Sequence, residues 1–393
     1  LPYGISDFPR VMREDYYYVD KTRFIEMLER QPPYLFLIRP RRFGKSLFLA
    51  MLEAYYSIDY ADRFKELFGE LYIGQHPTKR HNSYMVLRFN FSAISSKLED
   101  VERSFSEYCC MVMKNFILKY EHLMGSDVWK VVNPDETNPR QMLSALKEYV
   151  SRTDCPRIYL LIDEYDNFTN TILSSYGQER YREKTHGEGF IRGFFNNIKD
   201  STSNADAAVE RLFITGVSPI TMDDVTSGFN IGTNISTLPE FNSVIGFSME
   251  EMREMVSYYK SESALPADMT VDGLIETMKP WYDNYCFSSW NLDEKVFNSD
   301  MALYFLNSYL LRKRAPEMMI DSNIRTDYNK LRHLVQIDKR FGANASVIQQ
   351  IIAEGSITAQ IATSFPAEKM ADTENFKSCL LYTSDAADDS LRV

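Results

Sequence analysis

The chain has 393 residues, which is long enough for two or three domains and a large core. Hydrophobic residues make up 44% and charged residues 25%, as in an ordinary soluble globular protein. The net charge of −11 argues against non-specific binding of nucleic acid by the whole surface, although a local basic patch is compatible with it. No apolar run approaches the roughly 18 residues that span a bilayer, so we predict no membrane partner.

Cysteine and histidine usage points to a reducing compartment and away from zinc. The five cysteines are odd in number and show no C-x-x-C spacing, so they do not resemble a disulfide framework. The five histidines have no metal-ligand spacing with each other or with cysteines. The N-terminus lacks the apolar stretch of a signal peptide, and we predict a cytoplasmic protein. Because there is no initiator Met, we expect a few residues to precede Leu1.

The first elements predict a buried strand flanked by two helices. Apolar residues within Tyr18–Arg30 have helical spacing, and the two prolines that follow Gln31 end that helix. Residues Tyr34–Ile38 form a continuous apolar run bounded by prolines, which is typical of a strand buried on both faces. From Ser46 onward, the spacing of apolar and small residues predicts that a second helix follows directly.

Strand and helix patterns then alternate along the chain. Buried-strand patterns occur at Tyr84–Ser92, Arg157–Phe168 and Arg211–Ile220. Helical patterns occur at about Glu99–Met124, Pro139–Ser151 and Gly189–Asp200. This alternation predicts an α/β fold in which a parallel sheet is flanked by helices on both faces. After about Gly246 the strand signals fade, and the capping-box spacing of Ser248 and Glu251 opens a helical region.

The sequence "RPRRFGKS" lies between the first buried strand and its helix. It matches the P-loop pattern GxxxxGK[ST] at its last three positions, with Arg39 where the first glycine usually stands. Gly44 would let backbone N–H groups surround phosphate oxygens, Lys45 would reach the β- and γ-phosphates, and the Ser46 hydroxyl would bind Mg²⁺. The helix that follows would direct its positive N-terminal dipole at the anion. The alternative is a basic turn at the start of a surface helix.

Four cations crowd this segment and would repel one another unless an anion lies between them. We therefore predict a triphosphate site, with Arg41 and Arg42 neutralising phosphate charge beside Lys45. Two alternatives stay open, namely that Arg41 faces solvent or that one arginine folds back onto acids such as Asp163 or Asp166. The predicted ATP-binding residues are Arg39, Arg41, Arg42, Phe43, Gly44, Lys45, Ser46 and Leu47.

The strand in "IYLLIDEYD" delivers Asp163 and Glu164 to its carboxyl end, where ligands bind in open α/β sheets. Asp163 is predicted to hold Mg²⁺ through its water, and Glu164 to polarise the attacking water as a general base. A strand that ends in a solvated turn would give the same local sequence. The interval between Lys45 and Asp163 is longer than a minimal P-loop domain needs, so a helical insertion is expected there.

Thr215, with Ser218 beyond it, ends the strand "RLFIT". A polar residue there can hydrogen-bond the γ-phosphate or the lytic water, as at the sensor position of ASCE-type ATPases. The alternative is a hydroxyl that satisfies its own turn. Together with Lys45 and Glu164, Thr215 completes the predicted catalytic set.

Taken in order, "LPYGISDF", "YYYVDKTRFIEML", "RPRRFGKSLF", "LLIDEYDNF" and "FITGVSPI" resemble the bacterial AAA-ATPase-like family over about residues 1–378. The family's P-loop also looks like "RPRRFGKS", so the resemblance makes Arg39 a family trait. It implies an ATPase core and an N-terminal segment that places Asp20, Lys21 or Thr22 near the base or ribose. Members often carry a PD-(D/E)XK nuclease-like domain after the ATPase portion, and through it DNA is an implied partner. No such carboxylate and lysine pattern follows Ser378.

These patterns divide the chain into four expected parts. A P-loop domain of the ASCE/AAA-like type spans 1–245, with its insertion at about 93–153, and a helical lid spans 246–335. Residues 336–378 would lead toward a missing nuclease-like domain. Residues 379–393 are weakly patterned and resemble sequencing-adapter readthrough, so we expect a non-native tail.

The function that the sequence favours is Mg²⁺-dependent binding and hydrolysis of ATP, which regulates or powers an attached nuclease-like effector. An arginine finger in trans is common among AAA-type enzymes, which form homo-oligomers, and Arg192 and Arg211 are candidates. One alternative is a switch that binds ATP without hydrolysing it, and another is a small-molecule kinase whose lid uses "LLRKRAPE". The sequence leaves the coupled process, the oligomeric state and the pathway undetermined.

Overall fold

A computed structural model describes residues 1–185, 189–200, 207–217, 232–262, 264–266 and 268–321. Further along the chain it describes 346–347, 349–350, 353, 362, 365, 369 and 372–383. The sequence-based interpretations of Ser218, of 322–335 as lid, of most of the segment 336–378 and of the tail beyond Thr383 lie outside the described residues.

Strands and helices alternate as the sequence predicted. The strands are β1 (Tyr34–Ile38), β2 (Met85–Asn90), β3 (Ile158–Asp163), β4 (Val209–Gly216), β5 (Thr233–Asn234), β6 (Phe247–Ser248), β7 (Asp283–Tyr285) and β8 (Val296–Phe297). The helices of the first half are α1 (Phe8–Arg13), α2 (Phe24–Arg30), α3 (Lys45–Tyr56), α4 (Phe64–Phe68), α5 (Tyr72–Gln75), α6 (Val101–Met124), α7 (Val128–Val131) and α8 (Pro139–Arg152). The remaining described helices are α9 (Asn167–Thr185), α10 (Phe190–Asp200), α11 (Met249–Ser261), α12 (Val271–Tyr282), α13 (Ser299–Arg312) and α14 (Thr373–Thr383). Short 3₁₀ helices occur at Ile58–Arg63, Phe91–Ala93 and Pro239–Phe241.

Within the described residues, five parallel strands form one sheet in the order β2-β3-β4-β1-β5. The predicted parallel α/β fold is confirmed. Strand β4 lies between the P-loop strand β1 and the acidic strand β3, with Thr215 beside Leu37 and Ile162 beside Ile214. Because all five strands run the same way, the residues that end β1, β3 and β4 lie at one edge of the sheet.

The sheet is buried on both faces. Along β1, Leu35 and Leu37 pack into a core with α1–α4, whereas Phe36 and Ile38 pack into a second core with α6, α8 and α10. Every residue of β1 and β3 is buried, as the continuous apolar runs predicted. The three helices α6, α7 and α8 occupy the segment 93–153 between β2 and β3.

Among its described residues, the segment that the sequence predicts as a lid, called the lid below, contains three helices, α11–α13, around their own apolar core. The predicted capping box is present, because Ser248 accepts a hydrogen bond from the Glu251 backbone and Glu251 accepts one from Ser248. An antiparallel sheet, in the order β6-β8-β7, accompanies the helices and was missed in the sequence. Its strands have two or three residues each, too few to show an alternating pattern.

Two further comparisons concern the ends of elements and the membrane. The strand predicted at Arg157–Phe168 ends at Asp163, and the strand predicted at Arg211–Ile220 runs from Val209 to Gly216. Helix α14 continues to Thr383, five residues into the expected tail. Among the described residues, none of the helices combines the length and the apolar character needed to cross a bilayer.

The Arg39 side chain links the end of β1 to a later segment of the chain by hydrogen bonds. Its side chain is completely buried and donates hydrogen bonds to the backbone carbonyls of Ser236 (2.7 Å) and Phe241 (2.8 Å). Its guanidinium also lies 3.9 Å from the centroid of the Phe287 ring, close enough for a cation–π contact. Arg39 therefore stabilises the junction of the sheet with the segment that leads to the lid.

Replacing Arg39 by Met should lower the free energy of unfolding by about 3 kcal/mol or more, because the carbonyls of Ser236 and Phe241 lose a charged donor in a buried place. Urea unfolding followed by circular dichroism measures this change. The matched control is Arg41→Met, an exposed arginine two positions away, which should change stability by no more than about 0.5 kcal/mol. Equal stability of the two variants would contradict the structural role of Arg39.

Candidate functional site

The loop between β1 and α3 turns sharply at Gly44, which has a φ of +88°. This left-handed conformation favours glycine because it has no Cβ. Helix α3 begins at the next residue, so its unpaired N–H groups and positive dipole end lie at the loop. The sequence prediction of a strand, a glycine turn and a helix is met by this geometry.

Lys45 is the first residue of α3, and its side chain contacts the start of this loop. Its side chain is buried, and Nζ donates hydrogen bonds to the carbonyls of Arg39 (2.9 Å) and Pro40 (2.6 Å). Burial lowers the pKa of Lys45 to about 8, while the nearby carboxylates, foremost Asp163, act in the opposite direction. The ammonium group thus lies in a poorly hydrated place where an anion would interact with it strongly.

The Asp163 carboxylate, at the end of β3, is contacted by residues of one helix and two other strands. The Ser46 hydroxyl, on the first turn of α3, donates to Oδ2 at 2.7 Å, and the Thr215 hydroxyl, on β4, donates to Oδ1 at 2.7 Å. Asp163 and Thr215 are completely buried. The Arg88 guanidinium on β2 lies 3.9 Å from Oδ2 and 3.0 Å from the Glu53 carboxylate on α3. Residues from four elements therefore meet at one carboxylate.

Glu164 follows directly in a left-handed conformation, with a φ of +52°. Such a conformation costs a non-glycine residue about 1–2 kcal/mol, so the surroundings hold it there. Glu164 lines the same cavity as Lys45. Burial raises the pKa of Glu164, the Asp163 charge raises it further, and Lys45 acts in the opposite direction.

A cavity of about 400 Å³ opens between the loop, the N-terminal segment and the lid. The loop contributes Arg41, Arg42, Phe43, Gly44, Lys45, Ser46, Leu47 and Phe48. Apolar and aromatic lining comes from Ile5, Tyr17, Tyr18, Val19, Ile245, Phe247, Met255 and Leu303. The lining thus combines the cationic residues of the loop with apolar and aromatic residues from other segments.

The four predicted cations separate into two kinds. Arg41, Arg42 and Lys45 line the cavity, whereas the Arg39 guanidinium is directed at backbone carbonyls and lies outside the described lining. This placement offers no support for the expected contact between the Arg39 side chain and phosphate. Arg39 contacts Lys45 only through its backbone carbonyl, which accepts a hydrogen bond from the Lys45 amine. Arg42 pairs with the lid residue Asp300 at 3.0 Å. Neither Asp163 nor Asp166 is that partner, although the sequence left such a fold-back open.

The remaining predicted loop residues contact the cavity in different ways. Leu47 lines it from α3. The Phe43 ring is completely buried against Tyr285 and Phe287, so chiefly its backbone is available to a ligand. Thr215 is buried behind Asp163 and is absent from the described lining, although Val217 further along the chain is part of it.

The "YVDKT" segment joins the N-terminal part of the chain to the lid. Lys21 lines the cavity, but its amine pairs with Glu251 at 2.6 Å and donates to the Ser243 carbonyl at 2.9 Å. Asp20 accepts hydrogen bonds from Thr22 and from the Tyr72 backbone. Of the three residues expected near a base or ribose, only Lys21 reaches the cavity.

The two arginine-finger candidates lie away from the cavity. Arg211, near the start of β4, is 3% exposed and donates a hydrogen bond to the Leu28 carbonyl. Its side chain therefore cannot reach into a neighbouring chain. Arg192 is half-buried on α10 and is not part of the described lining. Burial therefore argues against Arg211 as a finger, whereas a finger role of Arg192 stays a prediction, because a finger in trans acts in the cavity of a neighbouring chain.

Two residues at the site, Arg88 and Asp300, were missed in the sequence, and a third, Asp166, was named there only as an acid onto which an arginine could fold back. Asp166 is buried and accepts hydrogen bonds from the Val217 backbone, which holds the end of β4 against the acidic loop. Arg88 contacts Asp163 and Glu53, and Asp300 contacts Arg42. The "DEYD" acidic run signals Asp166, but the partners of Arg88 and Asp300 are distant in sequence and carry no local pattern.

The residues at Asp163 suit a magnesium ion that is shared with phosphates. A hydroxyl and a carboxylate oxygen lie 2.7 Å apart, and both are the hard oxygen ligands that Mg²⁺ prefers. The described residues contain no group of three or more His, Cys, Asp and Glu side chains placed to hold a metal ion. Mg²⁺ is commonly bound by one or two carboxylates together with the phosphates of the substrate.

Comparison with known proteins places the chain in a family. A family model described as a predicted AAA-ATPase matches residues 2–226. The uncharacterized protein in vnfD 5'region of Azotobacter chroococcum mcd 1 is 28% identical over 339 residues, which are 82% of this chain and 55% of that relative. The chain thus spans about half the length of this curated relative.

A Walker-type ATPase of Pyrococcus abyssi has a similar solved structure, with 12% identity and a TM-score of 0.42 over 87% of this chain and 77% of that one. A likeness of this size supports no inference. The family match covers more than half of the chain, and the protein therefore belongs to the predicted AAA-ATPase family.

Proposed function

We propose that the protein binds ATP with Mg²⁺ in the cavity beside Gly44 and hydrolyses it. One observation carries the proposal, namely that Ser46 and Thr215 both donate to the buried Asp163 while Lys45 and Glu164 line the adjoining cavity. In the proposal these residues serve as a phosphate-binding loop, a metal ligand pair and a carboxylate base of one site. The family match supports the nucleotide, and the metal and the hydrolysis step are proposed from the side chains.

The loop end of the cavity suits the triphosphate. Arg41, Arg42 and Lys45 bring three cationic groups to it, and the start of α3 adds N–H donors and a positive dipole end. Guanidinium groups can bind phosphate with two parallel hydrogen bonds, whereas the lysine acts as a point charge. The low hydration around Lys45 strengthens its attraction for phosphate oxygens.

The apolar part of the lining suits a nucleoside, because Tyr17, Val19, Phe247, Met255 and Leu303 supply apolar and aromatic surface that can pack on a purine ring. The whole cavity, at about 400 Å³, lies within the range of small-molecule sites.

Ser46 and Asp163 would hold the metal ion, Ser46 directly and Asp163 through water. When bound, Mg²⁺ supplies charge neutralisation at the β- and γ-phosphate oxygens. Thr215 keeps the Asp163 carboxylate in place by donating to its second oxygen. Its expected contact with the γ-phosphate or lytic water stays a prediction.

Glu164 is proposed as the general base. Its carboxylate lines the cavity, and its raised pKa makes it a better proton acceptor than an exposed glutamate. The Tyr165 N–H donates a hydrogen bond to the Thr215 carbonyl at 3.2 Å, which holds the neighbouring Glu164 in its left-handed conformation. In the proposal this backbone conformation sets the direction of the Glu164 side chain. Lys45 would retain its proton and stabilise charge on the phosphates, since catalysis of phosphoryl transfer is mostly positioning and electrostatics.

The cycle would regulate or power a nuclease-like effector, and DNA would be reached through that domain. Support for this effector comes from the family resemblance. We also propose a homo-oligomer in the bacterial cytoplasm, as the resemblance to AAA-type ATPases implies. The competing function is a switch that binds ATP in the same cavity without turnover. A phosphate-release assay distinguishes this switch from an ATPase.

Replacing Lys45 by Ala should weaken ATP binding about 100-fold or more, because a buried cation is removed from the triphosphate site. Isothermal titration calorimetry with Mg²⁺ and ATP measures the affinity. Lys130→Ala is the matched control, since this exposed lysine lies on α7 outside the cavity lining and should leave the affinity unchanged. An unchanged affinity in Lys45→Ala would contradict the proposed site.

Replacing Glu164 by Gln should reduce phosphate release about 10²- to 10⁴-fold, because the water loses its proton acceptor. ATP affinity should stay within a few fold, since glutamine has nearly the same size and shape. A phosphate-release assay at saturating ATP, with Glu148→Gln on the exposed face of α8 as control, makes the comparison. Normal release by Glu164→Gln would remove Glu164 from the base role. ATP binding without release by the unmodified chain would favour the switch.

A further inference from the structure

The lid holds the outer side of the phosphate-binding loop through the loop's backbone carbonyls. The Arg42 carbonyl accepts from the Asp300 backbone N–H at 3.2 Å and from the Ser299 hydroxyl at 3.3 Å. The Phe43 carbonyl accepts from the Gly246 N–H at 3.1 Å. Two successive loop carbonyls are thus turned toward the lid.

Asp300 makes a second contact with the same residue. Its carboxylate accepts a hydrogen bond from the Arg42 guanidinium at 3.0 Å, and its side chain is 16% exposed. One lid residue therefore holds Arg42 at both its backbone and its side chain. Both contacts lie at the cavity, because Arg42, Ser299 and Asp300 are part of its lining.

The loop conformation explains why such support is needed. Arg42 has a φ of +65°, a left-handed conformation that costs a non-glycine residue about 1–2 kcal/mol. A residue in such a conformation persists when its surroundings determine it more strongly than its own preference does. Hydrogen bonds from the start of α13 supply that determination, and the ion pair directs the guanidinium.

Resting on the proposed function, we propose that Asp300 is a positioning residue for ATP binding that acts through Arg42. In this account the lid completes the phosphate-binding loop, because Asp300 keeps Arg42 in the conformation that presents its guanidinium to the cavity. Asp300 has no proton-transfer role, and its own negative charge opposes phosphate. The ATP affinity gained by holding Arg42 must therefore exceed the affinity lost through that repulsion. Removing the Asp300 charge is thus expected to weaken ATP binding.

The test measures ATP affinity and turnover of Asp300→Asn, which keeps the size of the side chain and the backbone N–H contact while removing the ion pair. We expect the dissociation constant for Mg²⁺–ATP, by calorimetry, to rise about tenfold, within the range of couplings between contacting residues. The KM for ATP should rise in parallel, with kcat at saturating ATP unchanged within about twofold, because the base and the metal ligands are untouched. Affinity that is unchanged or tighter in Asp300→Asn would overturn the proposal.

A double-mutant cycle shows whether Asp300 acts through Arg42. Arg42→Ala should weaken binding by itself, and adding Asp300→Asn to it should cause no further loss, since the residue to be positioned is gone. The same tenfold loss in both backgrounds would overturn positioning through Arg42. The matched control is Asp272→Asn, which neutralises an exposed first-turn carboxylate on another lid helix, α12, and should leave the affinity unchanged.

Two measurements separate this inference from the proposed function. The unfolding temperatures of Asp300→Asn and of the unmodified chain should agree within a few degrees. Such agreement shows that a loss of binding arises at the site and not from unfolding of the variant. If the unmodified chain binds no ATP, the proposed function and this inference both fail. If it binds ATP and Asp300→Asn binds equally well, this inference fails alone.

Discussion

The site depends on the buried carboxylate of Asp163. Its two oxygens accept from Ser46 and Thr215, which belong to different elements, at 2.7 Å each. An anion that is completely buried is costly unless hydrogen bonds and nearby cations compensate it, and here two hydroxyls, the more distant Arg88 and Lys45 do so. The carboxylate therefore sets the spacing between the phosphate-binding loop and the strand edge across which a metal ion would lie.

Charge balance follows from this constraint. Lys45 lies close enough to the acidic loop for Asp163, Asp166 and Glu164 to counter the effect of burial on its pKa. The charge of Arg42 is balanced by the Asp300 carboxylate, which contacts it at 3.0 Å. Lys45 and Arg42 are thus held by different parts of the fold, and a triphosphate would enter beside these two oriented cations. Preorganised charge of this kind is what phosphoryl transfer requires.

Part of this arrangement could be predicted from the sequence, for a definite reason. Gly44, Lys45 and Ser46 lie in the loop and helix that follow β1, whereas Asp163 and Thr215 lie at the carboxyl ends of β3 and β4. These residues could be predicted to meet because the carboxyl ends of parallel strands share one edge. The direction of the Arg39 side chain could not be predicted, because it depends on carbonyls about 200 residues further along the chain. The Arg42–Asp300 pair has the same character, and the lid strands are too short to leave a periodic pattern.

The lid and the loop form one functional unit in this account. The Gly246 N–H and the start of α13 hold the loop carbonyls, while Lys21 and Glu251 tie the N-terminal segment to the first lid helix. Movement of the lid would therefore change the shape of the phosphate site. A change of nucleotide at the loop would act back on the lid, since coupling between two sites is reciprocal.

The central claim, that Ser46 and Asp163 together bind the metal ion of a nucleotide, is tested most directly by electron paramagnetic resonance with Mn²⁺, which accepts the same oxygen ligands as Mg²⁺. The account predicts that the chain holds Mn²⁺ in the presence of ATP, and that both Ser46→Ala and Asp163→Asn bind it about tenfold more weakly or worse. Mn²⁺–ATP bound equally well by the unmodified chain and by both variants would contradict it.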